Sequence, residues 1–181
     1  MHNLGQSFLL AASFAISQVS ALLTAKKDGI SNQKESITKL KKTNPMKKTI
    51  STIHTISAPS TNVWANISKA TGVNEWLPVI TACHLDGDKR VCLTEKGEMK
   101  ETILKVDNTN QVFQYAIDSQ PLLPIENVVG TMKVKEDGEQ TQLQWDLEFT
   151  IKDESLFEMV KQAIEGMYAA GATGLETISK N

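Results

Sequence analysis

Alternating apolar and polar positions run through most of the chain after residue 46 and predict a series of β-strands. The pattern is clearest over residues 140–151, where every second side chain from Leu143 to Phe149 is apolar and those between them are polar. Such alternation is typical of an antiparallel strand with one buried face. Similar patterns, separated by turn residues, predict strands over residues 47–56, 79–86, 89–94, 98–107, 112–118 and 125–135.

Two short helices are predicted between the first and second strands. The first begins at Pro59 or Ser60 and ends before Gly72, and the second covers residues 73–77, just before Pro78. The apolar face of the first helix carries Val63, Trp64 and Ile67.

The last part of the chain predicts one long helix, which Asp153 or Ser155 caps. Its glycines each lower helix propensity by about 1 kcal/mol relative to Ala, which suggests a close approach of the helix to the sheet or to a ligand. These glycines are Gly166, Gly171 and Gly174. The apolar positions at helical spacing are Leu156, Val160, Ala163, Ile164, Met167, Gly171, Leu175 and Ile178.

These elements predict an α+β domain in which a curved antiparallel sheet of about seven strands wraps around the C-terminal helix. Three short motifs support a known version of this arrangement. They are Ile56, Ala58, Pro59, Val63 and Trp64; Arg90 followed by Glu101-Thr102-Ile103; and Asn127 after Leu123-Pro124. The chain resembles the SRPBCC or START-like superfamily, whose members include bacterial polyketide cyclase/dehydrase-like proteins, plant abscisic-acid receptors and the Bet v 1 birch pollen allergen.

The resemblance implies a helix-grip fold over residues 47–181 with a cavity between the sheet and the C-terminal helix. A lipid-, sterol-, polyketide- or aromatic-like molecule is the expected ligand. Strand alternation and the family pattern together give the ligand-binding candidates Thr81, Cys83, Arg90, Cys92, Met99, Glu101, Ile103, Phe113, Tyr115, Ile117, Asn127, Trp145 and Leu147. The long helix adds Val160, Ile164, Met167, Tyr168 and Gly171. Val128 stands where the family motif has Tyr, so one aromatic hydroxyl is missing.

Arg90 and Glu101 are the notable polar members of this set, because a charge that faces the interior needs a partner. One reading is a polar anchor, in which Arg90, or a water held by Glu101, fixes an oxygen of a bound ketone, acid or phenol. The other reading is a structural ion pair. Three hypotheses for function follow: a non-catalytic binding module, which is favoured; a cyclase or dehydratase (aromatase-like) with Glu101, Arg90 or Tyr115 as catalytic candidates; and an accessory protein of the cell envelope.

The two cysteines lie on either side of a predicted hairpin turn. If Gly87 and Asp88 form the turn, Cys83 faces Cys92 and a disulfide is geometrically possible. If the turn is one residue earlier, Cys83 faces Arg90 and the bridge is lost. Two free thiols are the alternative.

Residues 1–25 suit a signal peptide and residues 26–46 a polar, basic linker, which predicts an exported, periplasmic protein. The first seven residues lack Lys and Arg, however, and translation from Met46 would give a cytoplasmic protein instead. The apolar stretch is interrupted by Ser and Gln, so no stable membrane span is predicted in the mature chain.

The net charge of −2 gives no reason to expect a nucleic-acid partner. The sequence has no Gly-rich phosphate loop, and His54 and His84 lack the spaced partners of a metal site, so neither a cofactor nor a metal is predicted. The oligomeric state is left open.

Overall fold

The computed structural model describes residues 45–180, in which seven strands form one antiparallel sheet beside a long C-terminal helix. The strands are β1 (Met46–Ile56), β2 (Ala82–Asp86), β3 (Lys89–Thr94), β4 (Gly97–Asp107), β5 (Val112–Ser119), β6 (Ile125–Asp137) and β7 (Gln140–Ile151). The helices are α1 (Ser60–Ile67) and α2 (Phe157–Ser179), and short 3-10 turns cover Val73–Glu75 and Glu154–Leu156. The predicted signal peptide, and the predicted linker up to residue 44, lie outside the described residues.

The sheet has the strand order β1-β7-β6-β5-β4-β3-β2, so the chain crosses from one edge to the other after β1 and then returns strand by strand. The register shifts between Glu126 and Val129 of β6, and at two places between β4 and β5. Bulges of this kind bend a strand and increase its twist. The sheet therefore curves, and its concave face receives α2.

The helix α2 carries a continuous buried stripe that faces the sheet. It begins two residues after Ser155, because the 3-10 turn at Glu154–Leu156 comes first and Asp153 accepts a hydrogen bond from the backbone N–H of Ser155. The stripe consists of Val160, Ala163, Ile164, Tyr168, Ala170, Gly171, Ala172, Leu175 and Ser179. Its period matches the sequence pattern, and its partners are mainly β1 and α1, with a smaller contribution from β7.

Two glycines let α2 approach its neighbours closely. A Cβ atom at Gly174 would lie 2.0 Å from the carbonyl oxygen of Trp76, and one at Gly171 would lie 3.0 Å from Leu77 Cδ1. A Cβ atom at Gly166, on the same helix, would meet nothing within 4 Å. The close approach predicted from the sequence is therefore present at Gly174 and Gly171 and absent at Gly166.

The hairpin of β2 and β3 has the register that follows from a turn at Gly87 and Asp88. Gly87 has a φ of 59°, a left-handed value that favours glycine. Asp86 pairs with Lys89, Cys83 pairs with Cys92, and the two cysteines form a disulfide.

The α+β class, the seven-stranded antiparallel sheet and the helix-grip fold are as predicted, and three local predictions are wrong. The first helix ends at Ile67 instead of just before Gly72. Residues 73–77 form only a 3-10 turn, at Val73–Glu75, and β2 begins at Ala82 instead of residue 79. The segment before β2 is a turn, closed by a hydrogen bond from the Ile80 N–H to the Leu77 carbonyl. Within residues 45–180, no helix is both long and apolar enough to cross a membrane.

The glycines of α2 allow a matched test of this packing. We expect Gly174→Ala to lower the free energy of unfolding by about 1–3 kcal/mol, because the new methyl group overlaps a backbone carbonyl that cannot move freely. Gly166→Ala is the control, and it should raise stability by up to about 1 kcal/mol, because Ala favours helix. Urea denaturation of both variants measures the difference. Equal effects of the same sign would show that α2 does not press on Trp76.

Candidate functional site

A cavity of about 60 Å³ lies between the concave face of the sheet and α2. Its wall is almost entirely apolar and draws on strands, helices and connecting segments. The apolar members are Ile67, Val73, Trp76, Leu77, Val79, Met99, Phe113, Ile117, Leu122, Leu123, Ile125, Met132, Trp145, Leu147, Ile164 and Met167. The other members are Arg90, Glu101, Tyr115, Gln120 and Tyr168.

Arg90 and Glu101 form a buried ion pair across β3 and β4, where they are direct partners in the ladder. The Arg90 Nε donates to the Glu101 Oε2 at 2.7 Å, and the Arg90 Nη1 donates to the Ala70 carbonyl at 2.9 Å. Ala70 has a φ of 57°, an uncommon value for a residue other than glycine. Burial raises the pKa of the Glu101 carboxyl, and the Arg90 charge partly offsets that effect. The guanidinium also lies 5.7 Å from the ring centres of Phe113 and Tyr115.

An aromatic group connects α2 to the sheet beside this pair. The Tyr168 ring stacks on Trp145 with ring centres 3.9 Å apart and planes inclined by 7°. The Trp145 Nε1 donates to the Tyr115 hydroxyl at 3.1 Å. Gly130 lies opposite Tyr115 in the next strand, and any Cβ there would come within 2.2 Å of the tyrosine ring. The absence of a side chain at this position makes room for the phenol.

Two buried polar atoms of the cavity wall form no hydrogen bond with any residue in the described range 45–180: the Trp76 Nε1 and the Tyr168 hydroxyl. The Tyr168 hydroxyl is close enough to Tyr115 for that residue to contribute to its raised pKa, but the two do not form a bond of normal geometry. Burial is the main reason why the pKa of Tyr168 lies well above its usual range, and it likewise raises the pKa of Tyr115 to about 12. Both phenols are therefore protonated at neutral pH.

The loop of residues 120–124 covers one end of the cavity, and a single side chain holds its shape. The Gln120 Oε1 accepts from the backbone N–H groups of Leu122 and Leu123 at 2.7 and 2.8 Å. Its Nε2 donates to the carbonyls of Leu123 and Ile125 at 2.6 and 3.4 Å. Leu122 and Leu123 are thereby presented to the cavity.

The structure brings together most of the residues that the sequence placed around a ligand. All three catalytic candidates line the cavity, namely Arg90, Glu101 and Tyr115. So do Met99, Phe113, Ile117, Trp145, Leu147, Ile164, Met167 and Tyr168. Contact of these residues with a ligand stays a prediction.

Four predicted members on the strands lie away from the cavity. Thr81 is exposed, because β2 has not yet begun there, and its hydroxyl donates to the Leu93 carbonyl. Cys83 and Cys92 are joined in the disulfide. Ile103 pairs with Tyr115 and packs against the core, but it borders a separate, more open groove beside Leu85 and Leu104.

Three further predictions also need correction. Asn127 is exposed, with a φ of 52° at the bulge of β6, and its side chain donates to the Thr150 hydroxyl. The family motif implied an inward position for Asn127, and the bulge turns its side chain outward instead. Val160 is fully buried in the core, and Gly171 packs against Leu77 and Trp145, so neither reaches the cavity.

Sequence reasoning missed several wall residues, most of which lie outside the regular strands. They are Ile67, Val73, Trp76, Leu77, Val79, Gln120, Leu122, Leu123, Ile125 and Met132. Most lie on α1, on turns or in the covering loop, where period-2 alternation carries no information about direction. Ile125 and Met132 are the exceptions, because both lie on β6. Met132 pairs with Trp145, and that pairing indicates an inward direction.

Neither histidine belongs to the cavity wall. His54 is half-buried on β1 with a ring nitrogen 3.0 Å from the Thr52 hydroxyl, and burial lowers its pKa. His84 is exposed. Among the described residues, no three side chains of His, Cys, Asp or Glu come together as potential metal ligands.

Comparison with solved structures finds the same fold in bacterial and plant proteins. The XoxI protein from Bacillus cereus is 24% identical, with 72% of this chain and 94% of that chain covered and a TM-score of 0.65. Norcoclaurine synthase from Thalictrum flavum, solved with dopamine and hydroxybenzaldehyde, is 18% identical, with 81% and 95% covered and a TM-score of 0.62. A START superfamily protein from Mycobacterium smegmatis is 15% identical, with 72% and 96% covered and a TM-score of 0.62.

Among curated protein sequences, none matches this chain. The sequence does match one protein family, described as polyketide cyclase/dehydrase and lipid transport, over residues 47–179. This match spans β1 to the end of α2 and so includes every element that forms the cavity. The chain therefore belongs to the polyketide cyclase/dehydrase and lipid transport family.

Proposed function

We propose that this protein binds a small lipid-, sterol-, polyketide- or aromatic-like molecule between the sheet and α2, without transforming it. The apolar cavity, whose wall combines residues of the sheet, α2 and the covering loop, carries the proposal. Enclosed apolar cavities with few polar groups are typical of small-molecule sites. Norcoclaurine synthase, with a similar fold, has been solved with two small aromatic compounds, which supports an aromatic ligand here.

The cavity must enlarge when it is filled. Its volume of about 60 Å³ is far below the roughly 300–1,000 Å³ of sites for drug-sized ligands. Three methionines line it, Met99, Met132 and Met167, and methionine adapts readily to the shape of a neighbour because it is unbranched. Movement of these side chains and of the 120–124 loop would make the space.

Burial of apolar surface would supply the affinity. An aromatic group of about 150–250 Å² contributes about 4–6 kcal/mol at about 25 cal/mol per Å², before the loss of translational freedom is subtracted. Without that subtraction, about 4–6 kcal/mol corresponds to dissociation constants from about 1 mM down to about 40 μM, which is the tightest binding expected of a one-ring or two-ring ligand. A larger natural ligand that fills more of the enlarged cavity would bind more tightly.

Blocking the cavity from α2 tests the proposal. The probe is prodan, an uncharged naphthyl ketone whose fluorescence reports an apolar site. We expect Met167→Trp to weaken prodan binding at least about tenfold, a change of about 1.4 kcal/mol, because the indole occupies ligand space. Ala169→Trp, on the exposed side of the same helix, should bind prodan as the wild type does. A wild type that binds no prodan, or equal affinities in both variants, would contradict a cavity site.

The buried carboxyl of Glu101 favours a second candidate, an enzyme of the cyclase or dehydratase kind. Its raised pKa and its place in the wall are features of a general acid or base. The close ion pair with Arg90 also suits a purely structural role. We favour the structural role, because Arg90 already uses its Nε to bond the Glu101 carboxyl and its Nη1 to bond the Ala70 carbonyl.

A single substitution separates these roles. We expect Glu101→Gln to lower the free energy of unfolding by about 3–5 kcal/mol, because Arg90 would keep a buried charge without a counter-charge. Glu126→Gln, which removes an exposed ion pair with Lys152, is the control and should lose less than about 1 kcal/mol. Urea denaturation gives both values. The enzyme is the better assignment under two conditions. The wild type must cyclise a poly-β-ketone thioester, and a folded Glu101→Gln protein must still bind prodan but fail to cyclise the thioester.

We also propose export to an oxidising compartment, where the Cys83–Cys92 disulfide would persist. An accessory role in the envelope shares this requirement, whereas synthesis from Met46 in the cytoplasm would leave the thiols reduced. The test is to lyse host cells in acid and treat the denatured protein with a maleimide reagent. We expect no added label before reduction and two labels after it, one for each cysteine. Two labels without a reductant would contradict export.

A further inference from the structure

The two unpaired polar atoms of the cavity wall carry information about the ligand. A buried polar group without a hydrogen bond destabilises the folded protein, and most such groups in proteins have a partner. The Trp76 Nε1 can only donate, and the Tyr168 hydroxyl donates as well as accepts. Trp76 is 6% exposed and Tyr168 is 2% exposed, so bulk water does not reach either of them freely. Both atoms lack a hydrogen bond, which an acceptor atom of a bound molecule would provide.

The charges of the wall are already paired. Within residues 45–180, Arg90 and Glu101 are the only Arg, Lys, Asp or Glu side chains of the cavity wall, and they bond to each other. The Arg90 Nη1 is further occupied by the Ala70 carbonyl. A charged ligand would lose its hydration without meeting an unpaired opposite charge. The wall therefore suits an uncharged molecule.

The aromatic group indicates which phenol is available to the ligand. The Tyr115 hydroxyl already accepts a bond from the Trp145 Nε1. The Tyr168 hydroxyl has no such bond, while its ring is held by the stack on Trp145. Its position is thus set by packing, and apart from its approach to Tyr115 the hydroxyl forms no hydrogen bond of normal geometry within the described part of the chain. The hydroxyl also stays protonated at neutral pH, because burial raises its pKa.

We propose that the cavity binds an uncharged ligand with a carbonyl or ether oxygen, and that this oxygen accepts a hydrogen bond from the Tyr168 hydroxyl. Trp76 Nε1 is the second donor available to such a ligand. The inference rests on the binding function proposed above and narrows its ligand class. It distinguishes ketones, esters and ethers from plain hydrocarbons and from carboxylates such as fatty acids.

Three ligands of nearly the same shape test the proposal: 2-acetylnaphthalene, 2-isopropenylnaphthalene and 2-naphthoate. The first two differ by a carbonyl oxygen in place of a methylene group, and the third carries a charge. Each is measured by displacement of prodan from the wild-type protein. We expect the ketone to bind about 3- to 10-fold more tightly than the hydrocarbon, the range for one hydrogen bond, and the carboxylate to bind most weakly.

Tyr168→Phe removes the hydroxyl and keeps the ring that stacks on Trp145. We expect this variant to bind 2-isopropenylnaphthalene as the wild type does. The ratio of the affinity for the ketone to the affinity for the hydrocarbon should fall to about one. The infrared carbonyl stretch of bound 2-acetylnaphthalene gives a second readout that packing alone would not move. It should lie at lower frequency in the wild type than in Tyr168→Phe, because a hydrogen bond weakens the C=O bond.

The outcomes separate this inference from the proposal on which it rests. If ketone and hydrocarbon bind the wild type equally, or if Tyr168→Phe keeps the preference for the ketone, the role of Tyr168 is wrong and the hydrophobic cavity stands. Tighter binding of 2-naphthoate would show that the site accepts an anion. If prodan itself does not bind the wild type, both proposals fail together. If prodan binds and none of the three ligands displaces it, the ligand class proposed here is wrong.

Discussion

The stack of Tyr168 on Trp145 is the contact on which the site depends, because it fixes the distance between α2 and the sheet. Gly171 and Gly174 allow α2 to reach that distance, since larger side chains would strike Leu77 and the Trp76 carbonyl. One helix cannot fill the whole concave face of a strongly curved sheet. Space is therefore left beside the stack, and the remaining wall comes from α1, the turns and the 120–124 loop.

The sequence predicted the sheet well because each strand has one buried face, and alternation reports that face directly. β7 shows this most clearly, with Leu143, Trp145, Leu147 and Phe149 all buried. The inward position expected for Asn127 was not found, because the bulge of β6 changes the direction of that side chain without a warning in the local pattern. Alternation gave the face of Ile103 correctly, since Ile103 pairs with Tyr115, but it could not show that this residue borders a different groove. The ion pair of Arg90 and Glu101 was predictable as a juxtaposition, but its additional bond to the Ala70 carbonyl depends on the path of the chain after α1.

The polar groups of the cavity fall into two kinds with different consequences. Arg90 bonds to Glu101 on the neighbouring strand, and Trp145 bonds to Tyr115 across β6. These groups therefore need few hydrogen bonds from a ligand. Trp76 and Tyr168 lie outside these pairs and leave capacity unused. In a family that includes cyclases, dehydrases and lipid transport proteins, this division argues for recognition of a neutral oxygen more than for proton transfer.

The side chain of Gln120 takes part in four hydrogen bonds that hold the covering loop, two as acceptor and two as donor. A rotation of that side chain would break all four hydrogen bonds at once. The whole loop would therefore open in one step and not residue by residue. The opening step would then have its own rate, set by the protein and independent of the molecule inside. Residence time would be governed by this step for every ligand that binds weakly, and selectivity among such ligands would arise from how readily they enter an open cavity.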